Sequence, residues 1–141
     1  MTARFGDFVF ICQHIRRRVR VCPVRPVEWA MSEILILYST VDGQTRRICE
    51  RMQAVLEASG QRVVLASFDD PHLPDAADFD KIVIGASIRY GKHRQSVADF
   101  IAANRALLDN RPSAFFSVNI VARKAEKNRP ETNPYVRKFL G

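Results

Sequence analysis

No run of apolar residues in this chain approaches the roughly 18 that a membrane-spanning helix requires. Cysteine is scarce: Cys12, Cys22 and Cys49 fit no zinc spacing and leave an odd count, so a reducing cytosol is the expected compartment. The three histidines are scattered, and no metal site is predicted. The chain also lacks the Gly-Lys-Ser/Thr of nucleotide-triphosphate loops and the Gly-x-Gly-x-x-Gly dinucleotide fingerprint, which excludes both of those phosphate-binding classes.

Length and composition indicate one globular domain, since the chain has 141 residues of which 47% are hydrophobic and 26% are charged. The net charge of +7 is unevenly distributed, because residues 1–30 hold six arginines against two acidic residues and carry +4 of it. A basic chain of this kind is compatible with a nucleic-acid partner. More than half of the excess comes from a segment unlike the rest of the chain, however, so no nucleic-acid partner is predicted.

Residues 1–30 are predicted to be an amino-terminal extension outside the fold. A short apolar run at 8–11 precedes an arginine cluster at 16–20, which is the opposite order to a secretory signal. A presequence and a membrane-surface patch remain open as alternatives. Met31 is followed at once by the first well-patterned strand, as at a natural amino terminus, so the folded domain is predicted to span residues 31–141.

From Met31 onward, apolar runs alternate with segments of helical periodicity, which predicts an α/β fold with a parallel sheet. The predicted strands cover 33–38, 62–67, 81–86 and 114–118, and the predicted helices cover 44–58, 95–108 and 131–140. Parallel strands bind ligands at their carboxyl ends, beside the point where the strand order reverses. Three loops are therefore candidates for a binding site, at 39–45, 86–94 and 119–128.

The first loop is predicted to bind phosphate. It leads from an apolar strand into a helix, whose first N–H groups and positive dipole end favour an anion. Thr40 and Thr45 add hydroxyls and the loop has no lysine, which suits the single terminal phosphate of a mononucleotide. Asp42 is predicted to cap the helix through the N–H of residue 44 or 45. An ordinary strand-to-helix turn explains the same spacing equally well.

The second and third loops carry weaker signals. Tyr90 is suited to stacking on a flat aromatic ligand, beside a glycine that permits close backbone approach. Arg89, Lys92 and His93 are predicted to make this rim positive and to attract carboxylates. Backbone N–H groups around Asn119 could meet the polar edge of a ring system. Solvated basic loops are the alternative for both segments.

Three stretches carry a resemblance to a known family: residues 37–46, 83–91 and 112–119, the last continuing through 121–124, 132–133 and 137–140. Over roughly residues 31–140 the chain resembles the flavodoxin-like family. Within that family it is most similar to the menaquinone-dependent protoporphyrinogen IX dehydrogenases of bacteria, whose phosphate loop has an aspartate where ordinary flavodoxins usually have threonine.

The resemblance implies a three-layer sandwich that binds FMN, and an enzyme of haem biosynthesis that oxidises protoporphyrinogen IX to protoporphyrin IX with a membrane quinone as acceptor. It implies a cytoplasmic protein, peripheral on the inner membrane, with a basic surface for propionates or anionic lipid; a homo-oligomer is left open. No catalytic residue is assigned. The implied cofactor-binding residues are Thr40, Val41, Asp42, Gly43, Gln44, Thr45, Ser87, Ile88, Arg89, Tyr90, Gly91, Phe115, Ser117, Val118, Asn119, Val121, Ala122 and Arg123.

One departure from the family is expected, because a flavodoxin-like sheet has five strands and only four are predicted here. The fifth strand and the last helix are expected to be missing, which would make the fourth strand an edge. Ile82, Ile84, Phe115 and Phe116 are then expected to be partly bare. A truncated enzyme is the favoured interpretation; a flavodoxin-like electron carrier and a non-functional remnant are the alternatives.

Overall fold

The computed structural model of the chain describes residues 2–5, 8–14, 32–119, 124–127, 129 and 131–140. Within these residues the strands are β1 (Thr2–Phe5), β2 (Phe8–His14), β3 (Glu33–Ser39), β4 (Arg62–Ser67), β5 (Lys81–Ser87) and β6 (Ser113–Asn119). The α-helices are α1 (Gln44–Ala58), α2 (Gln95–Ala103), α3 (Arg105–Asn110) and α4 (Pro134–Leu140). Short 3-10 turns lie at Ala76–Asp78 and Ala125–Lys127.

The four strands predicted from the sequence form a parallel sheet, which confirms the fold class. β3 pairs with β4 on one side and with β5 on the other, and β5 pairs with β6. The full order is β1-β2-β6-β5-β3-β4. The strand order therefore reverses at β3, since β4 lies on one side of it and β5 on the other. This reversal places a crevice at the carboxyl ends of β3 and β5.

The parallel strands are apolar on both faces because helices cover both. Ile34 and Ile36 of β3 pack on the α1 side with Cys49. Leu35 and Leu37 face the other way and pack with Val97 of α2 and Leu108 of α3, as part of a second core cluster. This alternation produces the three-layer arrangement that the sequence predicts.

One predicted helix is interrupted. The periodicity over 95–108 predicts a single helix, but the structure has α2 and α3 separated at Asn104, whose φ of −108° and ψ of 17° are not helical. The Asn104 side chain donates to the Phe100 carbonyl at 2.9 Å, alongside the backbone N–H of the same residue at 3.0 Å. This local competition for a helical acceptor explains the break.

β1 and β2 were not anticipated. β2 pairs antiparallel with β6 from Val9, opposite Asn119, to His14, opposite Ala114, and β1 pairs antiparallel with β2. β6 is therefore not an edge strand. Because β1 and β2 are part of the sheet, the expectation that residues 1–30 have no folded role does not hold for these two strands. The domain boundary at residue 31 itself stays a prediction.

The expected exposure of the β5–β6 face was also wrong. Ile82, Ile84 and Phe115 are fully buried and Phe116 is 5% exposed. Phe115 is covered by the ring of Phe139 on α4, which stacks on it at a centroid distance of 5.2 Å. The carboxyl-terminal helix therefore covers part of the face that the sequence analysis expected to be bare.

We expect deletion of residues 1–14 to lower the melting temperature and to cause concentration-dependent self-association. The deletion removes the partner of β6 along six residue pairs, and unpaired edges of this kind pair with other chains. Thermal unfolding and sedimentation of the full and shortened chains measure both effects. Equal melting temperatures and a monomeric shortened chain would instead support the prediction that residues 1–30 lie outside the folded domain.

Candidate functional site

The structure brings parts of the three predicted loops to one edge of the sheet. β3, β5 and β6 are neighbours, and at their carboxyl ends Ser39 pairs with Ala86, which in turn pairs with Ser117. The contact continues past the strands, where the Ile88 N–H donates to the Val118 carbonyl at 3.1 Å. Segments far apart in sequence therefore line the same crevice.

The loop after β3 is shaped around Gly43, which is the N-cap of α1 and has a left-handed φ of 77°. The Gly43 N–H donates to Thr40 Oγ1 at 3.0 Å, and the Gly43 carbonyl accepts the first helical N–H, from Arg47, at 3.1 Å. The N–H groups of Gln44, Thr45 and Arg46 come before that first helical bond, so they have no acceptor one turn earlier in the helix. Such a helix start is suited to an anion.

The predicted capping role of Asp42 is wrong. Gly43 is the N-cap, and no side-chain capping bond is present at α1 in the described structure. Asp42 is exposed. Arg46 pairs instead with Glu50 along the helix at 2.8 Å, so its place in the first turn is explained by an ordinary exposed ion pair.

Three hydroxyls at this edge are buried and have no hydrogen-bond partner among the described residues: Ser39 Oγ, Thr45 Oγ1 and Ser87 Oγ. Ser39 and Thr45 are 0% exposed. A buried polar group without a partner costs about 1–3 kcal/mol, and buried polar groups usually find partners. The arrangement fits a ligand with several acceptor oxygens, such as a phosphate. Ser39 was missed in the sequence, although it directly precedes Thr40.

The loop after β5 begins with a tight turn that presents Tyr90. Arg89 and Lys92 exchange two backbone hydrogen bonds, each 3.0 Å long. Between them Tyr90 has φ 50° and Gly91 has φ 73°, the pattern of a type I′ turn. Tyrosine rarely adopts a positive φ, and Tyr90 is 90% exposed, with the Arg89 guanidinium carbon 5.3 Å from its ring centroid. The position is consistent with the predicted stacking role.

His93 does not contribute to a positive rim. Its ring lies against Phe115 and Phe139 at centroid distances of 5.6 and 4.5 Å. Burial lowers the pKa of His93 from 6.5 to about 4, so the imidazole is neutral at pH 7. The positive charge of this loop comes from the exposed side chains of Arg89 and Lys92.

The segment after β6 is only partly described, because Val121, Ala122 and Arg123 lie outside the described residues. Phe115 and Ser117 are fully buried, and Val118 and Asn119 are 5% and 4% exposed. The Phe115 side chain belongs to the core on the α2 side of the sheet. Its assignment as a cofactor contact is therefore not favoured by its position.

Two further features concern only the described part of the chain. No group of three or more His, Cys, Asp or Glu side chains there could hold a metal ion. No described helix is long and apolar enough to cross a membrane.

The family described as "Flavodoxin domain" matches residues 35–141 of this chain. The chain belongs to this flavodoxin domain family. The match runs from residue 35 within β3 through α4, so the crevice described above is part of the flavodoxin domain.

Relatives of this flavodoxin domain are named "Protoporphyrinogen IX dehydrogenase [quinone]". The one from Escherichia coli K12 is 45% identical over 106 residues, which cover 75% of this chain and 59% of the relative. The one from Leishmania major is 40% identical over 107 residues, covering 75% of this chain and 46% of the relative. The chain thus spans about three fifths or less of the relatives it matches.

A solved structure of an archaeal flavodoxin aligns with a TM-score of 0.45 and 23% identity, covering 50% of this chain and 49% of that chain.

Proposed function

We propose that the chain binds FMN and acts as an oxidoreductase that converts protoporphyrinogen IX to protoporphyrin IX with a quinone as electron acceptor. The observation that supports FMN binding most strongly is a set of three buried hydroxyls at the ends of β3 and β5 and in the first turn of α1, Ser39 Oγ, Ser87 Oγ and Thr45 Oγ1, which have no hydrogen-bond partner among the described residues. The names of the relatives supply the substrate and the acceptor, which are proposals for this chain.

The phosphate of FMN is proposed to lie at the start of α1. Gln44 and Thr45 offer backbone N–H groups there, and the buried hydroxyls of Ser39 and Thr45 offer side-chain donors. Thr40 Oγ1 already accepts from Gly43 N, which leaves its own proton for a phosphate oxygen. A dianion is therefore met by neutral donors and the helix dipole, without a lysine.

The flavin ring is proposed to lie beside Tyr90, whose exposed side chain can cover one ring face. When bound, FMN supplies the two-electron redox chemistry, while the protein positions the reactants. The exposed Arg89 and Lys92 are placed to attract the propionates of the macrocycle. Exposed cations of the carboxyl-terminal segment, Arg129, Arg137 and Lys138, extend this charge.

The location of the protein follows from the proposed acceptor. A quinone dissolved in a membrane must be reached from its surface, so we propose a cytoplasmic protein that associates peripherally with the inner membrane. The exposed basic residues would contribute about 1 kcal/mol each near an anionic leaflet.

Purification with added FMN tests the proposal. We expect the chain to retain flavin absorbance through gel filtration, and to form fluorescent porphyrin from protoporphyrinogen IX under anaerobic conditions when menadione is supplied. A reaction without menadione serves as the control for spontaneous oxidation.

Two outcomes would contradict the proposal. Loss of FMN during gel filtration would favour a remnant that keeps the sequence pattern without the cofactor. A yellow protein that forms no porphyrin with menadione would favour a flavodoxin-like electron carrier, which passes electrons to protein partners.

A further inference from the structure

Asn133, which precedes α4, is a fully buried amide whose hydrogen-bonding capacity is completely used. Its Oδ1 accepts from the N–H groups of Tyr135 at 3.1 Å and Val136 at 3.3 Å, which caps α4. Its Nδ2 donates to Asn119 Oδ1 at 3.1 Å and to the Lys127 carbonyl at 3.0 Å. Two donors and two acceptor positions are all that an amide side chain offers. Asn133 therefore links the start of α4 by hydrogen bonds to the end of β6 and to the 3-10 turn at Ala125–Lys127.

The hydrogen bonds continue from Asn133 to the loop after β5. Asn119 Nδ2 donates to Ser117 Oγ at 3.1 Å, and Ser117 Oγ lies 2.9 Å from His93 Nε2. The Ser117 hydroxyl can donate to His93 Nε2 when the histidine proton is on Nδ1, or accept from Nε2–H through its second lone pair. The two side chains are linked in either tautomer.

α4 also packs on that loop through its apolar side chains. The Phe139 ring stacks on the Phe115 ring, and its centroid lies 4.5 Å from the centroid of the His93 ring. A Cβ placed on Gly91 would meet Tyr135 Cε1 at 3.6 Å, so the tyrosine ring lies beside the Arg89–Lys92 turn. The helix therefore packs on the loop that carries Tyr90 through aromatic side chains, and the hydrogen bonds from Asn133 reach the same loop through two residues of β6.

We propose that Asn133 is a positioning residue for the candidate flavin site. It docks α4 on β6 and, through Asn119, Ser117 and His93, holds the strained turn that presents Tyr90. The relevance of the turn to a ligand rests on the proposed function, whereas the coupling between helix and turn does not.

Asn133→Asp separates the capping of α4, which uses Oδ1, from the hydrogen bonds that Nδ2 donates to β6 and to the 3-10 turn. The carboxylate keeps the acceptor that caps α4, where a negative charge is also favourable. It loses the donor and turns an anionic oxygen toward Asn119 Oδ1 and the Lys127 carbonyl. The matched control is Asn110→Asp on α3, which adds the same charge and removes one amide donor, the exposed bond from Asn110 Nδ2 to the Ala106 carbonyl.

Hydrogen exchange of the flavin-free protein is the first measurement. In Asn133→Asp we expect the backbone amides of Arg89 and Lys92 to exchange about tenfold faster, which corresponds to the loss of about one hydrogen bond. In Asn110→Asp we expect their exchange rates to stay unchanged. Faster exchange confined to residues 134–140 would overturn the proposal, because the amide would then serve only its own helix.

His93→Phe provides an independent variant, since it keeps a ring between Phe115 and Phe139 and removes the ring nitrogen that bonds Ser117 Oγ. We expect the same acceleration at Arg89 and Lys92, and little further change when it is combined with Asn133→Asp, because both act on one chain of bonds. Additive effects in the double variant would contradict the coupling.

FMN affinity, measured by quenching of flavin fluorescence, connects the coupling to the ligand. We expect about tenfold weaker binding in Asn133→Asp and in His93→Phe, with Asn110→Asp equal to the unaltered chain. Unaltered affinity in both variants would overturn the role at the flavin site. If the unaltered chain binds no FMN, the proposed function fails, and the exchange data still decide whether Asn133 holds the turn.

Discussion

Gly85→Ala is expected to destabilise the domain by about 1–3 kcal/mol, the cost of forcing an extra methyl group into a packed core. Gly85 is buried in β5 and pairs directly with Phe116 of β6. A Cβ at this position would lie 2.3 Å from Phe116 Cζ and within 2.9 Å of two further ring atoms. Phe116 is only 5% exposed and packs with the α1 side of the core, so its ring cannot swing away freely. Urea unfolding followed by circular dichroism measures the loss.

A second substitution provides the control. In Gly85→Ala/Phe116→Leu the shorter side chain leaves room for the methyl group, so we expect the double variant to lose less stability than the sum of the two single changes. Full additivity, or a Gly85→Ala protein as stable as the unaltered chain, would show that the ring moves aside at little cost. The position matters for the site because Ser87, one of the buried hydroxyl residues, lies at the end of the same strand.

The parallel sheet could be predicted closely from the sequence because its signals are local. The runs around Ile34–Leu37 and Ile82–Ile84 are apolar on both faces, as buried parallel strands must be, and the observed strands β3 and β5 differ from prediction only at the carboxyl end. The convergence of the loops on one edge then follows from topology. The break at Asn104 was missed because the apolar stripe continues across it, while its side chain bonds the preceding turn.

The features that could not be predicted depend on distant partners. The neutral state of His93 arises because Phe139 of α4 and Phe115 of β6 exclude water from its ring, and no local pattern indicates this. The pairing of β2 with β6 likewise depends on which strand edge is available, since a seven-residue segment carries little information about its neighbour. Asn133 lies within the predicted helix 131–140, whereas α4 begins at Pro134, and the buried hydrogen bond of its amide to Asn119 depends on β6 lying beside it.

Thr45→Val should have opposite effects on the flavin-free protein and on flavin binding. Thr45 Oγ1 is fully buried and has no partner within the described structure. In the absence of a ligand, the loss of its hydrogen bonds to water therefore destabilises the folded protein. Valine has the same shape without the polar atom. We expect the melting temperature of the flavin-free protein to stay equal or rise, because removing a buried polar group that lacks a partner is neutral or stabilising.

FMN binding should weaken in the same variant by about 10- to 100-fold, since a hydrogen bond to a charged group contributes about 1.5–3 kcal/mol. Thr132→Val is the matched control, because Thr132 is exposed and donates to the Arg129 carbonyl at 3.3 Å, outside the loop that follows β3. The decisive comparison is the Kd for FMN and the melting temperature of both variants in the same buffer. A role for Thr45 in packing alone predicts that valine, which has the same shape, leaves both stability and affinity unchanged. An unchanged or higher melting temperature together with weaker FMN binding is expected only if the hydroxyl bonds a ligand. A Thr45→Val protein that binds FMN as tightly as the unaltered chain would contradict the assignment of the phosphate to this loop.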